Sequence, residues 1–247
     1  NMKGGVAKTT LAINMADCLA SRHQKRVLLI DVDPQFNATQ CLVAPEDYMG
    51  HLRKDGDTIL KVFDRNSRIV PSAVASRDKL KPKNLEDIEV LSIKNNFDLL
   101  LAKVEDKYDY VVIDTPPTPS VWMTSALIAS QYYVIPVKAD PISLTGIDLL
   151  RSIIDEKKEN FDLSLSCAGL VLTLTESNTK VYQNAKMNLE RDKYWKRYLY
   201  PVSLPKRVGI AQGQLDQIHI LSGDNLEART AITNITTEFT NRVEEND

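Results

Sequence analysis

Apolar positions along the chain follow two periods in turn. From Thr9 to about Arg22, Leu11, Met15 and Leu19 recur at helical spacing with Ala12 and Ala16 beside them, which predicts a helix. Val27 to Asp31 is a continuous apolar run, the pattern of a parallel strand covered on both faces. Similar runs stand at Tyr110 to Ile113, Tyr133 to Val137 and Leu170 to Leu174, with weaker ones at Ile88 to Leu91 and Leu199 to Val202. Helical spacing returns at Leu144, Ile147, Leu150 and Ile154, and near the end at Ala228, Ile232, Ile235, Phe239 and Val243. Alternating strands and helices predict an α/β fold, a mostly parallel twisted sheet with helices on both faces. Between Ala44 and Lys83 the apolar period fades, apart from a short helical pattern around Ile59 to Phe63, and residues 44–83 are expected to form a surface excursion. With no internal repeat and no linker rich in Pro, Gly and Ser, residues 1–247 are expected to form a single domain.

Composition adds limits to this picture. At 43% hydrophobic and 26% charged, the 247 residues have an ordinary globular balance, enough for a sizeable core. The longest apolar strings, such as Val27-Leu28-Leu29-Ile30, fall far short of the roughly 20 residues that span a bilayer. Cys18, Cys41 and Cys167 are odd in number and widely separated, matching no disulfide, zinc or iron–sulfur pattern, which suits a reducing cytoplasm. His23, His51 and His219 are scattered and suggest no metal site. The formal charge of -2 excludes a uniformly basic nucleic-acid binder.

The chemistry is concentrated at the start of the chain. Lys3-Gly4-Gly5-Val6-Ala7-Lys8-Thr9-Thr10 supplies backbone amides able to converge on phosphate, a lysine at a helix start and an adjacent hydroxyl. Amides at a helix N-terminus attract anions, Lys8 can reach the β and γ phosphates, and the Thr9 hydroxyl can ligate Mg²⁺. The same string also describes a plain glycine turn before a helix. Met2 and Ala7 occupy the two glycine positions of the standard pattern G-x-x-x-x-G-K-[ST]. Ala7 carries a conditional consequence: at positive φ an alanine strains the loop, whereas at negative φ it favours the helix start. Such loops are launched from a buried strand, so an apolar first strand is expected upstream of Asn1 in the parent protein.

The loop resembles the deviant Walker motif K-G-G-x-G-K-T of the ParA/MinD family of ATPases, with Lys3 as its additional lysine and Ala7 as a departure. Two further segments carry the resemblance. Val27 to Gln35, with Asp31-Val32-Asp33-Pro34-Gln35 and then Asn37, is similar to the family's first switch, and Val111 to Pro117 to its Walker B and second switch. Leu204-Pro205-Lys206-Arg207-Val208 resembles its I-P-R-x-V stretch, and the likeness is closer to ParA/Soj partition proteins than to MinD. The resemblance implies a P-loop NTPase fold of the deviant Walker A type using ATP and Mg²⁺. The nucleotide would be held by Lys3, Gly4, Gly5, Val6, Ala7, Lys8, Thr9 and Thr10, with Asp114 and Pro205. Thr9, Asp31 and Asp114 would hold the metal, Asp33 would orient or activate the attacking water, and Lys8 would act on the phosphates of its own subunit. Lys3 would reach the facing subunit's phosphates, so that ATP holds a homodimer together. Thr173, Thr175 and Pro205 would lie near adenine.

The near-zero charge is an average. Residues 180–207 hold Lys180, Lys186, Arg191, Lys193, Lys196, Arg197, Lys206 and Arg207 against Glu190 and Asp192, a net +6 that leaves -8 for the remainder. If the chain is helical from Val181 onward, Lys186, Lys193 and Arg197 fall within about 40° of one another, beside a stripe of Val181, Ala185 and Leu189. Tyr194, Trp195 and Tyr198 at this spacing suit a core better than a base-stacking platform, and the basic residues also suit a plain solvated helix face. The resemblance implies instead non-specific DNA binding as the ATP dimer, through Lys186, Lys193, Arg197, Lys206 and Arg207, on the nucleoid. A ParB-like or other adaptor would stimulate hydrolysis, and the cargo would be a plasmid, a chromosome or a protein assembly. Membrane attachment of the MinD type is disfavoured by the acidic end Glu244-Glu245-Asn246-Asp247. A nucleotide-binding switch or scaffold with negligible turnover, a MinD-like positioning ATPase and an ATP-dependent ligase remain open.

Overall fold

The computed structural model of the chain describes residues 4–33, 35, 37–42, 72–74 and 107–245. They divide into two compact units, one of residues 1–18 and 130–247 and the other of residues 19–129.

In the second unit, β1 (Val27–Asp31) lies between β2 (Ser72–Val74) and β3 (Tyr110–Asp114), all parallel. Every residue of β1 is buried, as its unbroken apolar run requires of a strand covered on both faces. Leu28, Ile30 and Val32 pack with Ala126, and Val111, Ile113 and Trp122 lie against them. Ser120 starts α3 (Val121–Ile128) by accepting the Met123 amide at its hydroxyl, which satisfies one of the helix's unpaired donors. Arg26 pins the start of β1 to β3: its amide and its guanidinium both donate to Asp109, at 2.7 Å each. β2 corrects the expectation that residues 44–83 are wholly a surface excursion. Three residues are too few to display a period, but a parallel ladder uses backbone groups alone, and Leu29 and Asp31 take Ser72 and Val74 as partners. The patterns at Ile59 to Phe63 and Ile88 to Leu91 lie outside the described residues.

In the first unit, β5 (Ser166–Thr175) is flanked by β4 (Tyr132–Lys138) and β6 (Leu204–Pro205), again in parallel. The helix α1 (Lys8–Ser21) begins here, and its Leu11 and Met15 pack with Val171, Tyr200, Leu204, Ile232 and Ile235. The sequence period places α4 (Pro141–Phe161) and α7 (Leu226–Glu244) well: Ile147, Leu150 and Ile154 are buried, as are Ala228, Ile232, Ile235 and Val243. Two expectations fail. Leu199 to Val202 makes one bridge, Leu199 to Leu170, and no strand, because Pro201 has no amide to continue the ladder; pairing resumes at Leu204. The helix at Val181, α5 (Lys180–Arg191), stops at Asp192, whose extended backbone leaves the helix while its carboxylate accepts the Tyr194 and Trp195 amides at 2.8 Å. The chain continues through a 3₁₀ turn at Trp195–Arg197. Lys193 and Arg197 are therefore not on a helical face with Lys186, and Val181 is exposed rather than part of a buried stripe with Ala185 and Leu189. After β6 comes α6 (Val208–Leu215).

Candidate nucleotide site

Residues 4–7 lead straight into α1, and the backbone there is unusual. Gly5 has φ +69° and Ala7 φ +61°, so two residues in four have the positive φ found where successive amides turn to one side to bind an anion. Among the described residues, no heavy atom lies within 4 Å of where a Cβ would stand on Gly4 or Gly5. Ala7 meets the unfavourable branch of its condition: a residue with a Cβ pays roughly 1–2 kcal/mol in this conformation. Its carbonyl accepts the Leu11 amide at 2.9 Å and so begins the helix, with Lys8 and Thr9 in the first turn.

Two side chains brace the loop. Thr173, on β5, donates its hydroxyl to the Val6 carbonyl at 2.9 Å, and both residues are buried. That ties Thr173 to the phosphate loop, and Thr175 directs its hydroxyl at Ser203 and Leu204. Asn14 donates to the Thr10 carbonyl and accepts the Ile220 amide, both at 2.7 Å, which fastens α1 to the C-terminal part of the chain. Pro205 is buried in β6, opposite Thr175.

The carboxylates belong to the other unit. Asp31 ends β1 and Asp114 ends β3, and the parallel register makes the two direct partners, so both side chains leave the same face at the C-terminal edge of the strands. Open α/β sheets place their ligands at this edge. Asp31 is fully buried and accepts hydrogen bonds from the Thr39 amide and hydroxyl, at 2.9 Å each, and from the Asp33 amide at 3.1 Å. Burial pushes its carboxyl up despite these hydrogen bonds, and among the described residues no Lys, Arg or His stands within ion-pair distance of it. Asp33 is also buried and accepts the Gln35 amide at 2.9 Å. On α2 (Asn37–Leu42), burial first and then the charges of Asp114 and Asp31 push the Cys41 thiol up.

Each set of residues fits the group that its chemistry implies. The loop offers amides and a lysine to phosphate, and the second unit offers hard carboxylate oxygens, the donors that Mg²⁺ prefers, at Asp31, which has no cationic partner among the described residues. Lys3 lies outside the described residues. Sequence reasoning missed Thr39 and Asn14. Asn14 was detectable as a polar residue on the apolar Leu11, Met15 face; Thr39 stands among other polar residues, and only its burial singles it out.

The proposed DNA-contacting residues are dispersed. Lys186 lies 3.9 Å from Glu190, Lys206 lies 2.7 Å from Glu176, and Arg207 pairs with Glu227. Lys193 and Arg197 are exposed beside the 3₁₀ turn. Trp195 is buried as expected, with its indole donating to Asp148 at 2.8 Å.

A family model described as an AAA domain matches residues 1–167. Chromosome-partitioning ATPase Soj of Thermus thermophilus is 31% identical over 226 residues, covering 86% of this chain and 81% of that one. The chain belongs to the ParA/MinD-type ATPase family. The sporulation initiation inhibitor protein Soj of Bacillus subtilis is 29% identical over 220 residues, covering 86% of this chain and 84% of its own. Among solved structures, cobyrinic acid a,c-diamide synthase of Mycobacterium smegmatis, with bound ATP analogue and magnesium, superposes with a TM-score of 0.73 at 21% identity, covering 100% of this chain and 94% of that one. The ParA/MinD-type P-loop fold and the parallel α/β architecture expected from the sequence are thus both present.

Proposed function

We propose that this chain is an ATP-dependent, dimerising ATPase that binds DNA without sequence preference and partitions or positions a cargo, with an adaptor of the ParB type or another kind stimulating hydrolysis. The observation that carries the reading is the in-register pair of buried carboxylates, Asp31 and Asp114, at the C-terminal edge of adjacent parallel strands. A bound Mg²⁺ would supply charge neutralisation to the phosphoryl group in transfer. The residues of the chain do the rest. The amides of Gly4 to Thr9 and the Lys8 ammonium would bind the phosphates, and the Thr9 hydroxyl, Asp31 and Asp114 would hold the metal and its water shell. Asp33 would orient the attacking water, and Lys3 would neutralise charge on the nucleotide of a facing protomer. Relatives named as chromosome-partitioning ATPases support the partition role.

Asp33→Ala is expected to retain ATP and dimerise while hydrolysing at least tenfold more slowly, and Lys3→Ala to lose both turnover and ATP-dependent dimerisation. Phosphate release and sedimentation with ATP test both, and unchanged turnover in Asp33→Ala removes that residue from the mechanism.

A second reading, a nucleotide-binding switch with negligible turnover, is favoured by the left-handed Ala7 in the phosphate cradle. Hydrolysis by the parent protein, with and without DNA and partner proteins, separates the two. Turnover that requires a small substrate would indicate a ligase instead. Against attachment of the MinD type through α7, that helix commits Ile232, Ile235 and Val243 to the core.

A further inference from the structure

The basic surface contains an arrangement that charge counting does not reveal. The Arg151 guanidinium, from α4, stands 3.6 Å from the centre of the Tyr194 ring. Arg197 stands 4.9 Å from the same ring and 4.6 Å from that of Tyr198. The two tyrosines are themselves 5.2 Å apart.

The groups around this stack are committed to holding it. Asp148, on the same helix as Arg151, accepts the Trp195 indole, and Asp192 accepts the Tyr194 and Trp195 amides. Arg242, from α7, donates to the carbonyls of Arg197, Tyr198 and Leu199. Asp155 takes the Arg151 Nε at 3.4 Å. Among the described residues, Lys193, Lys196 and Arg197 have no carboxylate within ion-pair distance, unlike Lys186, Lys206 and Arg207.

We propose that Arg151 and Arg197, set against Tyr194 and Tyr198, form a rigid phosphate clamp for the backbone of duplex DNA, with Arg151 a contact residue and Tyr194 the positioning residue between α4 and the 3₁₀ turn. This rests on the DNA-binding reading above and specifies how that binding occurs. A guanidinium laid on a ring loses freedom in advance, and Arg151, whose Nε faces Asp155, keeps its terminal N–H groups for a phosphate, which a guanidinium fork matches better than an ammonium does. Guanidinium groups occupy the tyrosine rings, so the rings are not a stacking platform for unpaired bases, and the contact reads backbone and not sequence.

The test is fluorescence anisotropy of the full chain with ATP, over a KCl series, on two unrelated duplexes and a single strand, with the melting midpoint as the control for folding. Arg151→Gln is expected to weaken both duplexes equally, several-fold at low salt, and to reduce the slope of log affinity against log salt by about one for each protomer. Tyr194→Phe keeps the ring and should keep parental affinity, whereas Tyr194→Leu should behave like Arg151→Gln. An unchanged slope and affinity in Arg151→Gln, with the parent binding DNA, overturns the clamp alone. Tighter binding of the single strand than of either duplex also overturns it. A parent chain that binds neither duplex at low salt overturns the DNA-binding reading itself.

Discussion

At the scale of single residues, Ala7 has the widest consequences. It occupies a left-handed position that glycine adopts without cost, in a loop whose purpose is to aim amides at phosphate. Two things hold it there: Thr173 fastens the preceding carbonyl, and the first helical hydrogen bond fastens its own. Ala7→Gly is therefore expected to raise the free energy of unfolding by about 1 kcal/mol, the relieved strain less the added entropy of the unfolded chain. Urea denaturation measures this, and a stability equal to or below the parent's would show that the loop accepts alanine without strain. The sequence posed the question at Ala7 as a choice between two signs of φ, and only coordinates decide it, because the conformation depends on a threonine 166 positions away.

At the scale of elements, the strands and long helices were legible because each buries a face that a local period marks. What was not legible depends on contacts distant in sequence: the short β2, the end of α5 at Asp192, and the break after Leu199. The irregularity in β5 is of the same kind. Tyr133 pairs with Cys167 and Val134 with Gly169, so Ala168 is an extra residue that bends the strand. Gly169 has φ +156°, and a Cβ there would stand 1.9 Å from Cε1 of the buried Tyr200 ring. Gly169→Ala should cost about 3 kcal/mol, with Tyr200→Leu in the same chain recovering much of it; additive effects in a double-mutant cycle would refute the clash.

The Arg26–Asp109 connection between β1 and β3 makes a prediction about pH. Hydrogen bonds from the Arg26 side chain, then from its backbone, pull the Asp109 carboxyl down from 3.8 to about 2. A lowered value means that the unfolded chain takes up the proton first. The contribution is thus complete above pH about 4 and disappears as pH falls through about 2. Asp109→Asn should flatten that part of the acid-unfolding profile, and an unchanged profile would show that the pair contributes nothing in solution.

For the molecule as a whole, the charge of -2 conceals +6 in residues 180–207 and -8 elsewhere. The structure makes the separation less sharp than the count, because Glu176 and Glu227 lie against Lys206 and Arg207. Exposed pairs of this kind are weak and easily exchanged, so a phosphate can take the cation while the carboxylate is left beside it, repelling the DNA. On the proposed DNA-binding role, these two glutamates restrain binding by a single protomer and make a paired surface necessary. Pairing two protomers doubles the number of phosphates engaged and hence the counterions released. Glu176→Gln and Glu227→Gln, each alone, should then tighten DNA by roughly two- to threefold at low salt. Together they should bring measurable binding to the ADP form, in which the parent is expected to bind little. The titration is repeated with ATP and with ADP over a KCl series. If neither glutamine variant binds more tightly than the parent in either nucleotide, Lys206 and Arg207 do not meet DNA, and the basic surface is confined to the neighbourhood of Tyr194.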